Sequence, residues 1–269
     1  MNKCISRRDF LGVMFLLPIY LRYQKIFDLF KTNYCIVKGP TDKGVEFLKK
    51  HVIYSGDEKK SQVAITYDDQ PYNIKNIQKV LRAYKEFNAK TTFFLIMERV
   101  ALSKEMKVII PEIIEEGHEI GFHGWDKDHP IYSKLPKSRI KEDLEKCFEL
   151  MHSICPEYFV RFIRWPYGET GKLVDYAASF GLQVVNWNVE SGGLDEKTKY
   201  RVVENSKNGS IVLSHLTRPY DVSQAEEIIS SLHEKGYKLV NISTILRSED
   251  IIPFTPEYFN MVCLDEKIY

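Results

Sequence analysis

From about residue 60 onward the chain alternates short β-rich runs with longer helical patterns, and this alternation limits its fold more than any other feature. Residues 63–66, 92–95, 119–122, 159–163, 183–187, 210–214 and 238–240 are predicted strands. Between them, 74–86, 104–116, 138–152, 172–180 and 224–235 carry apolar residues at spacings of three and four, the period of an amphipathic helix. Gly117, Gly181 and Gly236 stand where such helices must stop, and Ser223-Gln-Ala-Glu226 reads as a capping box at the start of the last one. Strands separated by whole helices pair in parallel, because a parallel connection needs a crossover. The fold predicted is α/β, a single-domain irregular barrel of seven βα units.

The 269 residues are 44% hydrophobic, enough for a sizeable core. With 38 basic against 37 acidic side chains the formal charge is +1, which gives no electrostatic case for nucleic acid or an anionic surface as the main partner. A charged substrate must therefore be met locally. The cysteines (Cys4, Cys35, Cys147, Cys155, Cys263) are odd in number and hold no CxxC pair, so neither a zinc knuckle nor a complete disulfide framework is indicated. A Cys147–Cys155 bridge stays open.

At the N-terminus, "SRRDFL" places Arg7 and Arg8 before an apolar run from Phe10 to Leu21. That run is short for a membrane-spanning helix and suits a signal-peptide core; the match is to a twin-arginine export signal. No A-x-A cleavage site follows, since Arg22, Tyr23, Gln24 and Lys25 come next. Retention as a membrane anchor thus stands beside removal, with an ordinary amphipathic helix as the bland alternative. The plan is 1–25 signal or anchor, 26–60 lead-in, 61–248 catalytic-type domain and 249–269 tail, exported or anchored outside the cytoplasm.

In a parallel βα barrel, side chains at the C-terminal ends of the strands converge on one face. What ends or follows the predicted strands is Asp68 and Asp69, His123, Arg164, Trp187 and His215. Asp and His residues can hold a divalent ion and leave positions for water, while a further Asp, Arg and His remain to handle protons.

These residues carry a resemblance. "TYDDQP", "GHEIGFHGWDKDH", "RWPYG" and "GSIVLSH", in that order and spacing, resemble the motifs of the polysaccharide deacetylases, the NodB homology domain of carbohydrate esterase family 4. The resemblance spans about residues 60 to 248. It implies Asp68 as general base, Asp69 and His123 as metal ligands, His215 as general acid, Arg164 orienting Asp68, Leu213 lining an acetyl pocket and the Tyr167 backbone N–H at the oxyanion. The implied cofactor is a divalent metal, Zn2+ foremost, with Co2+, Mn2+ or Ni2+ as alternatives. The implied partner is an N-acetylated amino sugar in a polysaccharide or glycoconjugate, and Trp165 is the tryptophan expected to stack on a sugar ring. "HGWD" also resembles a branch acting on formylated or acetylated amino-sugar lipids, which leaves a lipid-linked substrate as one alternative; a sugar-binding relative that has lost its metal through Lys127 is the other.

The chain departs from that pattern where the family has its second metal histidine, for Lys127 stands there. His129 is the expected third ligand, yet six residues after His123 on a continuous helix it would point about 240° away. It serves only if the loop bulges; Asp126 and Asp128 are oxygen-bearing alternatives. Gln70 replaces a glycine, and Glu190 is the expected partner of Arg164. His118 is read as structural.

Overall fold

The computed structural model describes residues 30–32, 35–69 and 74–263. The signal or anchor expected at 1–25 and the Gln70 substitution lie outside them. Two short strands, β1 (Phe30–Thr32) and β2 (Cys35–Pro40), precede β3 (Gln62–Asp68), β4 (Thr92–Leu95), β5 (Glu119–Phe122), β6 (Phe162–Ile163), β7 (Gln183–Val184), β8 (Val189–Glu190), β9 (Ser210–His215) and β10 (Lys238–Leu239), and β11 (Phe259–Cys263) follows. Strands β3 to β9 form one curled sheet in the order β7-β6-β5-β4-β3-β9-β8, with β10 beside the start of β3 and every pair parallel. The predicted α/β fold is therefore present, its irregular barrel taking the form of a curled, open half-barrel of seven strands.

Period-two alternation decides what each strand shows to either side. Val63, Ile65 and Tyr67 of β3, with Phe93 and Leu95 of β4, join the large core between sheet and helices. Ala64, Phe94, Phe162, Val185 and Ile211 fill a smaller core inside the curl. The inward rows then climb to the C-terminal rim: Ala64, Thr66, Asp68; Gly121, His123; Phe162, Arg164; Ile211, Leu213, His215. Gly121 is required in its row, because a Cβ there would stand 2.6 Å from the Phe94 ring.

The helices Ile74–Glu86, Lys104–Glu115, Lys137–Ile154, Lys172–Ser179 and Ala225–Glu234 lie within two residues of their predicted limits. Gly117, Gly181 and Gly236 close helices with φ of 82°, 74° and 87°. The capping box does not form. Pro219 starts a separate five-residue helix, Pro219–Ser223, so Ser223 ends one helix instead of capping the next. Gln224 sits between the two, its side chain bonded to the Lys199 N–H and the Glu196 carbonyl.

The predicted strand 183–187 also breaks. After Val184 the chain pairs with Ile53 of the lead-in, at Val185 and through the Asn186 N–H (2.7 Å), and enters β8 beside β9 at the other end of the sheet order. Lead-in and tail meet as well: β2 pairs antiparallel with both β1 and β11. Rings of Phe159, Phe254 and Phe259 pack beneath them at centroid distances of 4.9–5.9 Å. Cys147 and Cys155 are both free thiols, so no bridge joins them. No described helix is long and apolar enough to cross a membrane.

Candidate metal and acid–base site

Arg164 follows β6 on the inward row and is fully buried. Nη1 donates to Asp68 Oδ1 at 2.6 Å and to Thr66 Oγ1 at 2.7 Å; Nε and Nη2 donate to the carbonyls of Val185 (3.0 Å) and Asn186 (3.1 Å). Its guanidinium lies 4.2 Å from the Phe94 ring centroid and 5.4 Å from that of Trp187. Burial alone would raise the pKa of Asp68. Arg164 first, then His123 and His215, outweigh it and hold the carboxyl below the usual carboxylate range. Glu190 is not the partner of Arg164: it is exposed and accepts from the Trp187 indole N–H (2.9 Å). The balancing charge is Asp68 itself, at the end of β3 across the curl of the sheet.

His123 ends the inward row of β5. Its Nδ1 stands 2.6 Å from the Arg164 carbonyl, which can only accept, so Nδ1 carries the proton and Nε2 presents a lone pair. That Nε2 is 2.9 Å from His129 Nε2 and 3.7 Å from Asp68 Oδ2. His129 Nε2 is in turn 4.0 Å from Asp69 Oδ1, and ligand atoms of Asp69, His123 and His129 all lie within 4.8 Å of one another. The structure thus gathers the three expected ligands, and residues 124–128 bulge as His129 requires. Gly124 has φ 80° and His129 φ 55°. Lys127 points elsewhere, its ammonium 3.6 Å from Asp128 and 4.0 Å from Glu98. Asp126 pairs with Arg139 at 3.2 Å, and neither Asp126 nor Asp128 belongs to the cluster.

The donor set fits a divalent ion: two imidazole nitrogens and a carboxylate oxygen, with one imidazole held in the coordinating tautomer by a backbone carbonyl. Burial, and after it the neighbouring His123, pull the pKa of His129 down to about 4, so its ring is neutral at physiological pH, the state that coordinates. Asp69 Oδ2 accepts from the Thr217 hydroxyl at 3.1 Å. Asp69, His129 and Tyr167 all adopt left-handed backbone angles that non-glycine residues avoid, with φ of 63°, 55° and 61°. Strain of this kind persists only where the surroundings impose it.

His215 ends β9 directly beside Asp68 in register. Its backbone N–H donates to Asp221 Oδ2 (2.8 Å), and its Nδ1 lies 4.0 Å from the same oxygen. Burial lowers the pKa of His215, against the pull of Asp68. It raises that of Asp221 to about 6, against hydrogen bonds from Ser191 and the His215 N–H. Leu213 lies two residues before His215 on the same row, buried at 8% exposure. Tyr167 is exposed, and its hydroxyl donates to the His129 carbonyl (3.0 Å). Trp165 is fully buried, its ring 5.0 Å from that of Tyr132, so it has no face to offer a sugar. That expectation is corrected.

Sequence reasoning missed Thr66, Thr217 and Asp221. For Thr66 a signal existed: a hydroxyl two residues before Asp68 on an otherwise apolar strand shares its face.

A family model described as polysaccharide deacetylase matches residues 55–185. A peptidoglycan-N-acetylglucosamine deacetylase of Bacillus cereus is 29% identical over 230 residues, 80% of this chain and 81% of that protein. Among solved structures, a peptidoglycan N-acetylglucosamine deacetylase bound to a substituted N-oxidanyl-benzamide superposes with TM-score 0.65 at 28% identity, over 75% of this chain and 95% of that one. A CE4 family pseudoenzyme from Bacillus anthracis superposes with the same TM-score at 25% identity, over 72% of this chain and 68% of that one. Motifs, fold and relatives agree: residues 55–185 match the polysaccharide deacetylase family, and the curled parallel sheet is that of its solved members.

Proposed function

We propose that this chain is a metal-dependent hydrolase that removes the N-acetyl group from an amino sugar of a cell-envelope polysaccharide. The observation that carries the reading is the convergence of Asp69, His123 and His129 within 4.8 Å, beside a buried Asp68 paired to Arg164. A bound divalent ion, zinc foremost, supplies Lewis acidity: it lowers the pKa of water and polarises the acyl oxygen.

The chain's own groups handle the protons. Asp68, kept ionised by Arg164, accepts the proton of the attacking water, whose oxygen bonds to the acyl carbon. The Tyr167 backbone N–H donates to the oxyanion, and Leu213 packs on the acetyl methyl. His215 protonates the nitrogen as the C–N bond breaks, releasing acetate and a free amine. The left-handed turn at Tyr167 supports its place at the rim, and the inward row Leu213–His215 supports theirs.

The "SRRDFL" segment and the peptidoglycan deacetylase among the relatives support work outside the cytoplasm, at the cell envelope. The competing reading is a sugar-binding protein without activity, favoured by the equal superposition of the pseudoenzyme. Zinc content of the purified protein and acetate release from peptidoglycan and chitooligosaccharides separate the two. Bound zinc with acetate release is expected; a protein that binds neither zinc nor cobalt and releases no acetate sinks the enzyme reading.

A further inference from the structure

The metal reading raises a problem of spacing. Six residues separate His123 from His129, and a segment of that length has many shapes that carry the second imidazole away from the first. In the structure it is tied down from outside. The Tyr132 hydroxyl accepts from the N–H groups of Trp125 (2.8 Å) and Asp126 (3.1 Å). The same hydroxyl donates to Asp143 Oδ2 at 3.3 Å. Asp143, in the helix Lys137–Ile154, is buried at 1% exposure and pairs with Arg139 Nε at 2.9 Å. Arg139 reaches back with Nη2 to Asp126 Oδ2 at 3.2 Å.

This is a closed circuit: loop amide to Tyr132, Tyr132 to Asp143, Asp143 to Arg139, Arg139 to the loop carboxylate. Glu169 adds a second anchor by accepting the N–H groups of Tyr132 (2.6 Å) and Ser133 (3.2 Å). Asp126 then turns the chain, its carbonyl accepting the His129 N–H at 3.0 Å.

We propose that the Asp126–Arg139–Asp143–Tyr132 circuit sets the metal-ligand spacing by clamping residues 124–129 in the one bulged shape that returns His129 to His123, making Arg139 and Tyr132 positioning residues for the metal. The proposal rests on the reading of Asp69, His123 and His129 as ligands. It also gives Asp126 a task incompatible with coordination, since its carboxylate is held by Arg139 on the helix side of the loop.

The test is the zinc dissociation constant of the folded protein, measured by chelator competition well below its melting temperature. The apo melting temperature is recorded for each variant alongside. His129→Ala is expected to lose the most affinity, and Arg139→Gln and Tyr132→Phe to weaken zinc by about tenfold, the lower end for residues that orient a ligand. Lys49→Gln, which breaks a distant surface pair with Asp175, leaves the constant unchanged. A merely structural role for Arg139 would lower the melting temperature and spare the zinc constant, and that result overturns the proposal. Should Tyr132→Phe fail to fold, surface-facing Arg139 still decides. If His129→Ala itself keeps wild-type affinity, the ligand reading fails, and that outcome is distinct from an intact ligand set with an idle clamp.

Discussion

At the scale of single residues, Arg164 carries the charge balance of the site. It is a fully buried cation whose only carboxylate partner at hydrogen-bond distance, among the described residues, is Asp68. Removing one member of a buried pair strands the other; Arg164→Met is expected to cost about 3–5 kcal/mol by denaturant unfolding at neutral pH. That loss should shrink in acid, where the stranded carboxyl takes a proton. Asp68→Asn has a different signature under the proposed function: acetate release should fall at least about a hundredfold while zinc affinity stays within a few-fold, because Asp68 stands beside the Asp69–His123–His129 cluster and is not part of it. Equal losses of zinc and activity would place Asp68 in the ligand set instead.

Reactive side chains at strand ends were legible, since period two puts Asp68, His123, Arg164 and His215 on one rim. The same rule disposes of Trp165. It follows Arg164 directly, so if the arginine faces inward the indole faces the helices, and motif membership says nothing against that. Thr217, Arg139 and Asp221 left no pattern: their roles depend on loops returning from elsewhere in the chain.

At the scale of elements, five helices and seven strand positions were readable because their apolar periods are long or clean. The second half of the strand 183–187 was not, because its continuation depends on Ile53, more than a hundred residues earlier. The loop carrying His129 escaped for the same reason; a spacing rule for helices describes nothing when Gly124 and His129 both turn left-handed. The inward row of β5 offers a test. Gly121→Ala would press a methyl against Phe94, the ring on which Arg164 rests, and about 1–3 kcal/mol of stability should be lost. A neutral Gly121→Ala would mean that the interior of the curl is looser than these distances describe.

At the scale of the whole molecule, two buried groups tilt stability against pH in opposite senses. His118 accepts the Thr91 N–H through Nδ1 (3.1 Å), and burial foremost, then Lys90, lowers its pKa to about 4. The unfolded chain takes up that proton near pH 6.5, so stability is lost as pH falls from about 6.5 to 4. Asp221, raised to about 6, holds a proton that the unfolded chain releases near pH 4, so stability falls as pH rises over nearly the same window. Each shift amounts to about 3 kcal/mol, and they offset each other in the native protein. His118→Gln should therefore grow more stable relative to wild type as pH drops from about 6 to 4, and Asp221→Asn less stable. Unfolding in urea at several pH values checks both; identical slopes in the two variants would contradict this assignment.

The pairing of β2 with β11 brings the second and last described strands side by side, on segments that the family match does not reach. The folding unit is therefore longer than the catalytic homology. Residues 61–248 alone would lack the rings of Phe254 and Phe259 that cover Phe159, and the Ile53 bridge to Val185. Such a fragment should melt broadly and at lower temperature in a calorimeter. The register of Cys263 beside Cys35 also suits circular permutation: a short linker from residue 263 to residue 35, with new termini cut into an exposed surface turn, would keep the pairing of β2 with β11 and the rim that carries Asp69, His123 and His129.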